Sequence, residues 1–260
     1  MNNIKNGILN IAAIIGPNGV FAGRSGNAIK WTAAVEMIGW KDIDTDVIYL
    51  EKKRIVWEVN YEEIDEYREL IKANSIVNLL VNKSENRLSL ERVLVQNYQD
   101  DDLARVLEQS RQPVFYDDHI LGRFILDKTI EQFCMPIVWS GENGELYFQN
   151  NQDEELIRST LQTGYVLFED QEVWSKRVKE YAAEKLVALA NDWCEEAEDT
   201  NTFDEITASI FVKRIRLSSI TIAPDGDFEI FFYDDDMFAG HSIIVNGNVN
   251  GVFTDAMIAG

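Results

Sequence analysis

One segment near the end of the sequence groups side chains that could do chemistry. Asp234, Asp235 and Asp236 precede His241 within it. Carboxylates beside an imidazole can bind a divalent metal or act as an acid–base pair. The spacing does not match an EF-hand calcium loop, which needs alternating oxygen ligands and a distal glutamate. The segment is a candidate binding loop, and a solvated acidic loop before a strand is the alternative.

A glycine-rich stretch is the second candidate. Four glycines punctuate residues 16–26, and the last two frame the loop Gly23, Arg24, Ser25 and Gly26. A phosphate-binding Walker loop needs Gly-Lys-Ser/Thr entering a helix, so that backbone amides and the lysine meet the phosphates. Here the lysine is missing and a strand-like stretch follows. A loop that glycine makes conformationally accessible is the simpler interpretation, with ligand binding as the alternative.

Signatures of nucleophilic catalysis are missing from the sequence. It contains no Gly-x-Ser-x-Gly elbow, and neither Cys134 nor Cys194 lies in a catalytic or C-x-x-C pattern. The two histidines are His241 and His119, which follows Asp117-Asp118 on a predicted hairpin tip. We therefore predict no catalytic residue, no metal ligand and no cofactor, with a divalent cation at the Asp234–His241 loop as the alternative.

The first part of the chain predicts a small β-barrel. Apolar strand patterns cover residues 8–15, 28–40 and 47–59, a helical period covers 61–72, and strands follow at 76–81 and 88–95. Three strands, a helix and two strands are the element order of an OB-type barrel. Gln112-Pro113 is the predicted border, so residues 1–112 form the first predicted domain.

Residues 113–260 predict an α+β domain. Hairpin patterns come first, a helix follows at 153–163, and residues 169–198 form the clearest helix of the chain. The apolar stripe of that helix is spaced three to four residues apart and indicates core packing: Trp174, Val178, Tyr181, Leu186, Leu189 and Trp193. Four more strand patterns close the chain. We expect an antiparallel sheet packed against helices and classify the whole chain as α+β.

Charge is distributed unevenly along the chain. The formal net charge is −21, and residues 113–260 hold 28 acidic and 10 basic residues against 17 and 14 in residues 1–112. An anionic surface repels phosphate backbones, so nucleic acid is not favoured as a partner of the second part. A basic protein or bound cations suit it better, and solubility alone is the alternative.

Two further features bear on the location of the protein. Two cysteines without a paired spacing suit a reducing compartment, and no apolar run approaches the roughly 20 residues that span a bilayer. We predict a cytoplasmic protein without a membrane partner. The sequence leaves the oligomeric state open.

The second part resembles a family of uncharacterised bacterial domains. The resemblance rests on Trp174 and on residues 181–184, 190–193, 220–222, 225–229, 235–243 and 251–260, including the segments DDMFAGHSI and GVFTDAMIAG. The first part, with its Gly23–Gly26 loop and Trp31, resembles a region that often precedes that domain. Some relatives sit in toxin–immunity gene neighbourhoods, which implies a binding role and no assigned reaction.

Three functions follow as hypotheses. The first is an acidic protein-binding module, immunity-like or regulatory, whose second part meets a cationic surface. The second is a metal-assisted hydrolase that uses the Asp234–His241 loop. The third is a small-ligand or carbohydrate binder that uses the first domain and its aromatic residues Trp31, Trp40 and Trp57. We favour a binding protein over an enzyme.

Overall fold

A computed structural model describes residues 7–26, 28–84, 87–197 and 205–260, with the backbone alone at 196 and 197. The chain divides into two compact units, Met1–Gln112 and Pro113–Gly260. Both combine sheet and helix, and each has its own hydrophobic core. The α+β class is therefore confirmed. Among the described residues, no helix combines the length and the hydropathy needed to cross a membrane.

The described residues of the first unit form six strands and two α-helices. They are β1 (Gly7–Gly23), β2 (Trp31–Asp42), β3 (Val47–Tyr49), β4 (Lys53–Val59), α1 (Ile64–Leu70), β5 (Ile76–Ser84), β6 (Arg87–Val95) and α2 (Asp101–Arg111). Five of the strands pair in the order β1-β5-β6-β4-β2, and β2 pairs again with β1, so the hydrogen-bonded sheet closes into a ring. The short strand β3 pairs antiparallel with the end of β2. The predicted single strand over 47–59 is wrong, because the structure divides it into β3 and β4; the predicted helix and the two strands after it are present as α1, β5 and β6.

The predicted loop after residue 15 is wrong, because β1 continues to Gly23. Its pairing with β2 is irregular between Ile15 and Val20. Glycine permits that irregularity: Gly19 has a left-handed φ of +60°, and a Cβ on Gly16 would lie 3.2 Å from the Glu36 carbonyl oxygen. Glycine here bends a continuous strand and does not end it.

The described residues of the second unit form eight strands and three helices. They are β7 (Phe115–Asp118), β8 (Gly122–Asp127), β9 (Gln132–Trp139), β10 (Glu142–Gln149), α3 (Glu154–Glu169), α4 (Gln171–Ala197), α5 (Ala208–Arg214), β11 (Arg216–Ile222), β12 (Asp227–Tyr233), β13 (Ser242–Asn248) and β14 (Phe253–Ala259). The predicted helix over 169–198 corresponds to α4, and residue 198 lies outside the described residues.

The strands of the second unit form one sheet in the order β14-β13-β12-β11-β10-β9-β8-β7. All neighbours are antiparallel except β10 and β11, so the predicted antiparallel sheet is wrong at this one pair. These two strands run parallel, and the three helices between them in the chain form the crossover that a parallel pair needs. One face of the sheet packs on the helices. On that face Phe148, Ile220 and Phe232 are buried, and they share a core with Trp174 and Val178 of the predicted helical stripe.

A buried ion pair holds the parallel strands together. Lys179 of α4 donates from Nζ to Glu142 Oε1 at 2.5 Å and to the Ile215 carbonyl oxygen at 3.2 Å. The second oxygen of Glu142 accepts the backbone N–H of Leu217 at 2.6 Å. The two side chains are only 9% and 25% exposed. One contact therefore joins the start of β10, the middle of α4 and the start of β11.

A second buried contact ties the β7–β8 hairpin to α3. The Asp118 carboxylate accepts the hydroxyl of Tyr165 at 2.6 Å and the backbone N–H groups of Ile120 and Leu121. Burial alone would raise the pKa of Asp118, but these hydrogen bonds outweigh it and lower the pKa. Burial and the hydrogen bond to Asp118 raise the pKa of Tyr165 to about 12.

Removing the Lys179 charge should destabilise the second unit. We expect Lys179→Met to lower its free energy of unfolding by about 3 kcal/mol, because the Glu142 carboxylate, which is only 25% exposed, then loses its charged partner. The double variant Lys179→Met/Glu142→Gln should recover part of that loss, since glutamine still accepts the Leu217 N–H without a charge. Urea unfolding measures both. Lys176→Met, on the exposed side of the same helix, is the control and should stay within about 0.5 kcal/mol.

The Tyr165 hydroxyl should make stability depend on alkaline pH. Because the folded pKa is about 12 and the unfolded value is near 10, the contribution is complete below pH 10 and is lost as the pH rises through 12. Tyr165→Phe should therefore lose less stability than the wild type over this range. Urea unfolding below pH 10 and at about pH 11 checks this. Equal losses in both proteins would contradict it, and Tyr233→Phe, with an exposed ring, is the control.

Candidate functional site

The first carboxylate of the predicted binding loop is buried and bound to backbone. Asp234 accepts the N–H groups of Phe238 at 2.8 Å, Gly240 at 3.0 Å and Asp236 at 3.3 Å. Met237 and Phe238 insert into the core beneath it. The Asp234 side chain thus holds the loop closed, because it pairs amides that burial would otherwise leave without acceptors.

The neighbouring carboxylates point elsewhere. Asp235 Oδ2 pairs with Arg214 Nε at 2.7 Å, and its carbonyl oxygen accepts from Nη2 of the same arginine. Asp236 is exposed. The three aspartates are adjacent in sequence, but the structure gives them separate environments.

The His241 ring lies against a backbone carbonyl group and an aromatic ring. Its Nδ1 lies 2.6 Å from the Phe238 carbonyl oxygen, so Nδ1 carries the proton that is donated there. The ring packs against Trp193 with 5.3 Å between centroids. Within the described ranges no three or more His, Cys, Asp and Glu side chains gather in a way that could hold a metal ion.

The glycine-rich loop connects β1 to β2. Gly23 ends β1 and Gly26 is left-handed, with a φ of +51°. The guanidinium of Arg24 lies 5.6 Å from the centre of the Trp31 ring, which in turn packs against Tyr61. Of the other aromatic residues proposed for ligand binding, Trp40 and Trp57 are buried in the core of the ring.

The outer face of the eight-stranded sheet is a feature that sequence reasoning missed. This open face lies opposite the helices and carries the side chains that alternate with the buried ones. In an antiparallel sheet such a face is normally polar. Here it carries two apolar rows formed by residues opposite one another on adjacent strands: Phe115, Ile125, Cys134 and Tyr147 from β7 to β10, and Phe231, Ile244 and Met257 from β12 to β14.

Several of these apolar side chains are accessible. Phe115 is 49% exposed and Ile125 is 43% exposed, and the nearby Val138 and Tyr233 reach 61% and 63%. Contiguous apolar surface on a soluble protein commonly marks an interaction site.

The open face is also acidic. Its carboxylates are Asp117, Asp127, Glu145, Asp227, Glu229 and Asp255, and its basic side chains are Arg123 and Arg216. Arg123 is already engaged by Asp117 through two hydrogen bonds of 2.6 and 3.2 Å. The face therefore combines apolar rows with an excess of negative charge.

A groove crosses the middle of the open face where β10 meets β11. Its volume is about 440 Å³, and it is lined by Pro136, Asn143, Gly144, Glu145, Tyr147, Ser218, Ser219 and Tyr233. Small residues make its floor and two tyrosines stand at its sides. This volume falls in the range of small-ligand pockets.

A β-bulge creates the floor of the groove. Leu217 pairs with Phe232 and Ser219 pairs with Phe231, so Ser218 is the extra residue. Leu217 and Ile220 are both buried, which leaves the two serines together on the open face. The run Leu-Ser-Ser-Ile breaks strict alternation, and that break is the sequence signal that could have indicated the bulge.

One carboxylate of the groove is held in position. The Tyr147 hydroxyl donates to Glu145 Oε2, and burial together with this hydrogen bond raises the pKa of Tyr147.

Both cysteines, Cys134 and Cys194, are free thiols. The Sγ of Cys134, on β9, lies 3.5 Å from the Ile125 carbonyl oxygen.

Removal of the Asp234 carboxylate should destabilise the second unit. We expect Asp234→Ala to cost about 2 kcal/mol or more, since buried amides lose their acceptor. Asp236→Asn removes the charge of a neighbouring exposed carboxylate, and asparagine tolerates the left-handed φ of +61° at this position, so stability should change by less than about 0.5 kcal/mol. Thermal or urea unfolding of the two variants distinguishes them. Equal effects would show that the loop does not depend on Asp234.

Two family models match the chain. A model described as "Uncharacterized protein conserved in bacteria (DUF2262)" matches residues 118–258, more than half of the chain. A model described as "Domain of unknown function (DUF7021)" matches residues 2–110. A search of curated proteins finds no significant match. The resemblance to uncharacterised bacterial domains is confirmed, and the chain belongs to the DUF2262 family of bacterial proteins.

Proposed function

We propose that the protein is a binding module, immunity-like or regulatory, whose open face docks a basic protein. The observation that carries the proposal is the pairing of apolar rows with an excess of carboxylates on a sheet face that the helices leave uncovered. Apolar contact supplies affinity, and charge complementarity supplies orientation and fast encounter.

A cationic partner fits this face better than a second copy of the same chain. Residues 113–260 carry 28 acidic and 10 basic residues, so two such surfaces would repel each other. A basic partner would find Glu229 and Asp255 beside the row Phe231, Ile244 and Met257. The two free cysteines suit a cytoplasmic setting for this role.

For the first unit we propose an OB-type barrel. Support comes from the closed ring of β1, β5, β6, β4 and β2, and from α1 between β4 and β5. The loop from Gly23 to Gly26 joins the first two strands of the ring, where barrels of this type contact ligands. Ligand binding there stays a prediction, as does metal-assisted hydrolysis at the Asp234–His241 loop.

Selection of short random displayed peptides on the full-length protein tests the open face. We expect enrichment of Arg and Lys together with apolar residues, and weaker binding as ionic strength rises. The variant Glu229→Lys/Asp255→Lys should weaken the selected peptides at least tenfold, because it reverses charge beside the apolar row.

The matched control is Glu180→Lys/Glu184→Lys on the exposed side of α4. It changes the net charge by the same amount, so it accounts for non-specific attraction to an acidic protein. The proposal requires the control to bind the peptides nearly as well as the wild type. If both double variants lose binding equally, or if no basic sequences are enriched, the open face is not the docking surface.

A further inference from the structure

We propose that the groove between β10 and β11 binds one arginine side chain of the partner, with the guanidinium between the Glu145 carboxylate and the Tyr233 ring. This inference rests on the proposed function, because it names the anchor of the basic partner. The ligand of this groove, which has a volume of about 440 Å³ and lies in the middle of the open face, is then a guanidinium group.

The groove supplies both groups that recognise a guanidinium. Glu145 is positioned by the Tyr147 hydroxyl on Oε2, which leaves Oε1 to accept a hydrogen bond from outside. Tyr233 is 63% exposed and presents a ring to the same groove. Glu145 is level with Phe231 across β11, and Tyr233 lies two residues further along β12. The backbones of Glu145 and Tyr233 are therefore about 12 Å apart, a distance that their side chains and a guanidinium can span. A guanidinium can therefore meet the carboxylate and the ring together.

The same face already contains one filled example of this arrangement. Arg123 pairs through two nitrogens with Asp117 and lies 5.3 Å from the centre of the Phe115 ring. In the part of the chain that the structure describes, no Lys or Arg forms an ion pair with Glu145. The groove therefore offers a carboxylate and a ring to a cation from outside.

Arginine fits these groups better than lysine. Its planar guanidinium stacks on an aromatic ring and donates to a carboxylate at the same time, whereas an ammonium is a compact and strongly hydrated charge. The small floor residues Ser218 and Ser219 leave room for a flat group, and Gly144 contributes backbone to the groove. Gly144 alternates with the outward-facing Glu145, so a Cβ there would point toward the helices and lie 2.7 Å from Cδ2 of the buried Leu217.

Titration of the isotope-labelled full chain with N-acetyl-arginine N-methylamide tests the inference by NMR. We expect saturable shifts at Gly144, Ser218 and Ser219, with a dissociation constant on the order of millimolar. The citrulline analogue has the same shape without the charge and should bind at least tenfold more weakly. The lysine analogue should bind more weakly than the arginine compound.

Variants locate the site. Glu145→Gln should weaken the arginine compound about tenfold, while Glu180→Gln, on the exposed side of α4, should leave its binding unchanged. Tyr233→Leu should weaken it, and Tyr233→Phe, which keeps the ring, should retain it. Equal binding of the arginine and citrulline compounds, or equal effects of the two glutamate variants, would overturn the arginine pocket.

The outcomes separate this inference from the proposed function. If selected peptides depend on Glu229 and Asp255 while the arginine compound does not shift the groove, the open face docks a partner without this anchor. If the arginine compound binds the groove but peptide binding does not depend on Glu229 and Asp255, the arginine pocket is supported and the wider docking surface is contradicted.

Discussion

The buried ion pair between Lys179 and Glu142 is the contact on which the second unit depends. A parallel pair of strands has no connecting turn to set its register, so β10 and β11 need another constraint. Lys179 supplies it by binding Glu142 at the start of β10 and the Ile215 carbonyl oxygen just before β11. Glu142 in turn accepts the N–H of Leu217, the residue next to the bulge. The ion pair therefore fixes both the register of β10 on β11 and the position of the bulge. A buried charge of this kind is tolerated only when it is fully paired.

The bulge connects this internal contact to the surface. Because Leu217 and Ile220 both face the helices, Ser218 and Ser219 both reach the open face. The space above them becomes the groove, and the strands at its sides bring in Glu145 and Tyr233. The Asp234 loop plays a different part, since its first carboxylate binds three backbone amides and its next residues fill the core. The segment with the most suggestive chemistry in the sequence thus stabilises the fold.

Prediction from the sequence succeeds where a local pattern determines the structure. The apolar spacing from Trp174 to Trp193 predicts α4, and the strand and helix order predicts the elements of the first unit. It fails at Gly16 and Gly19, because glycine permits both a loop and a bent strand. Strand direction is also invisible to periodicity, so the parallel pair of β10 and β11 was not predicted. The groove depends on cross-strand neighbours that no local pattern contains.

We propose that the open face attracts cations at a defined place on an acidic molecule. Paramagnetic relaxation of side-chain protons, measured with a cationic and a neutral spin probe of similar size, tests this most directly. We expect the ratio of cationic to neutral enhancement to be highest at Tyr147, Ser219 and Tyr233, and lower along the exposed side of α4. A ratio that is uniform over the surface, or highest along α4, would contradict it.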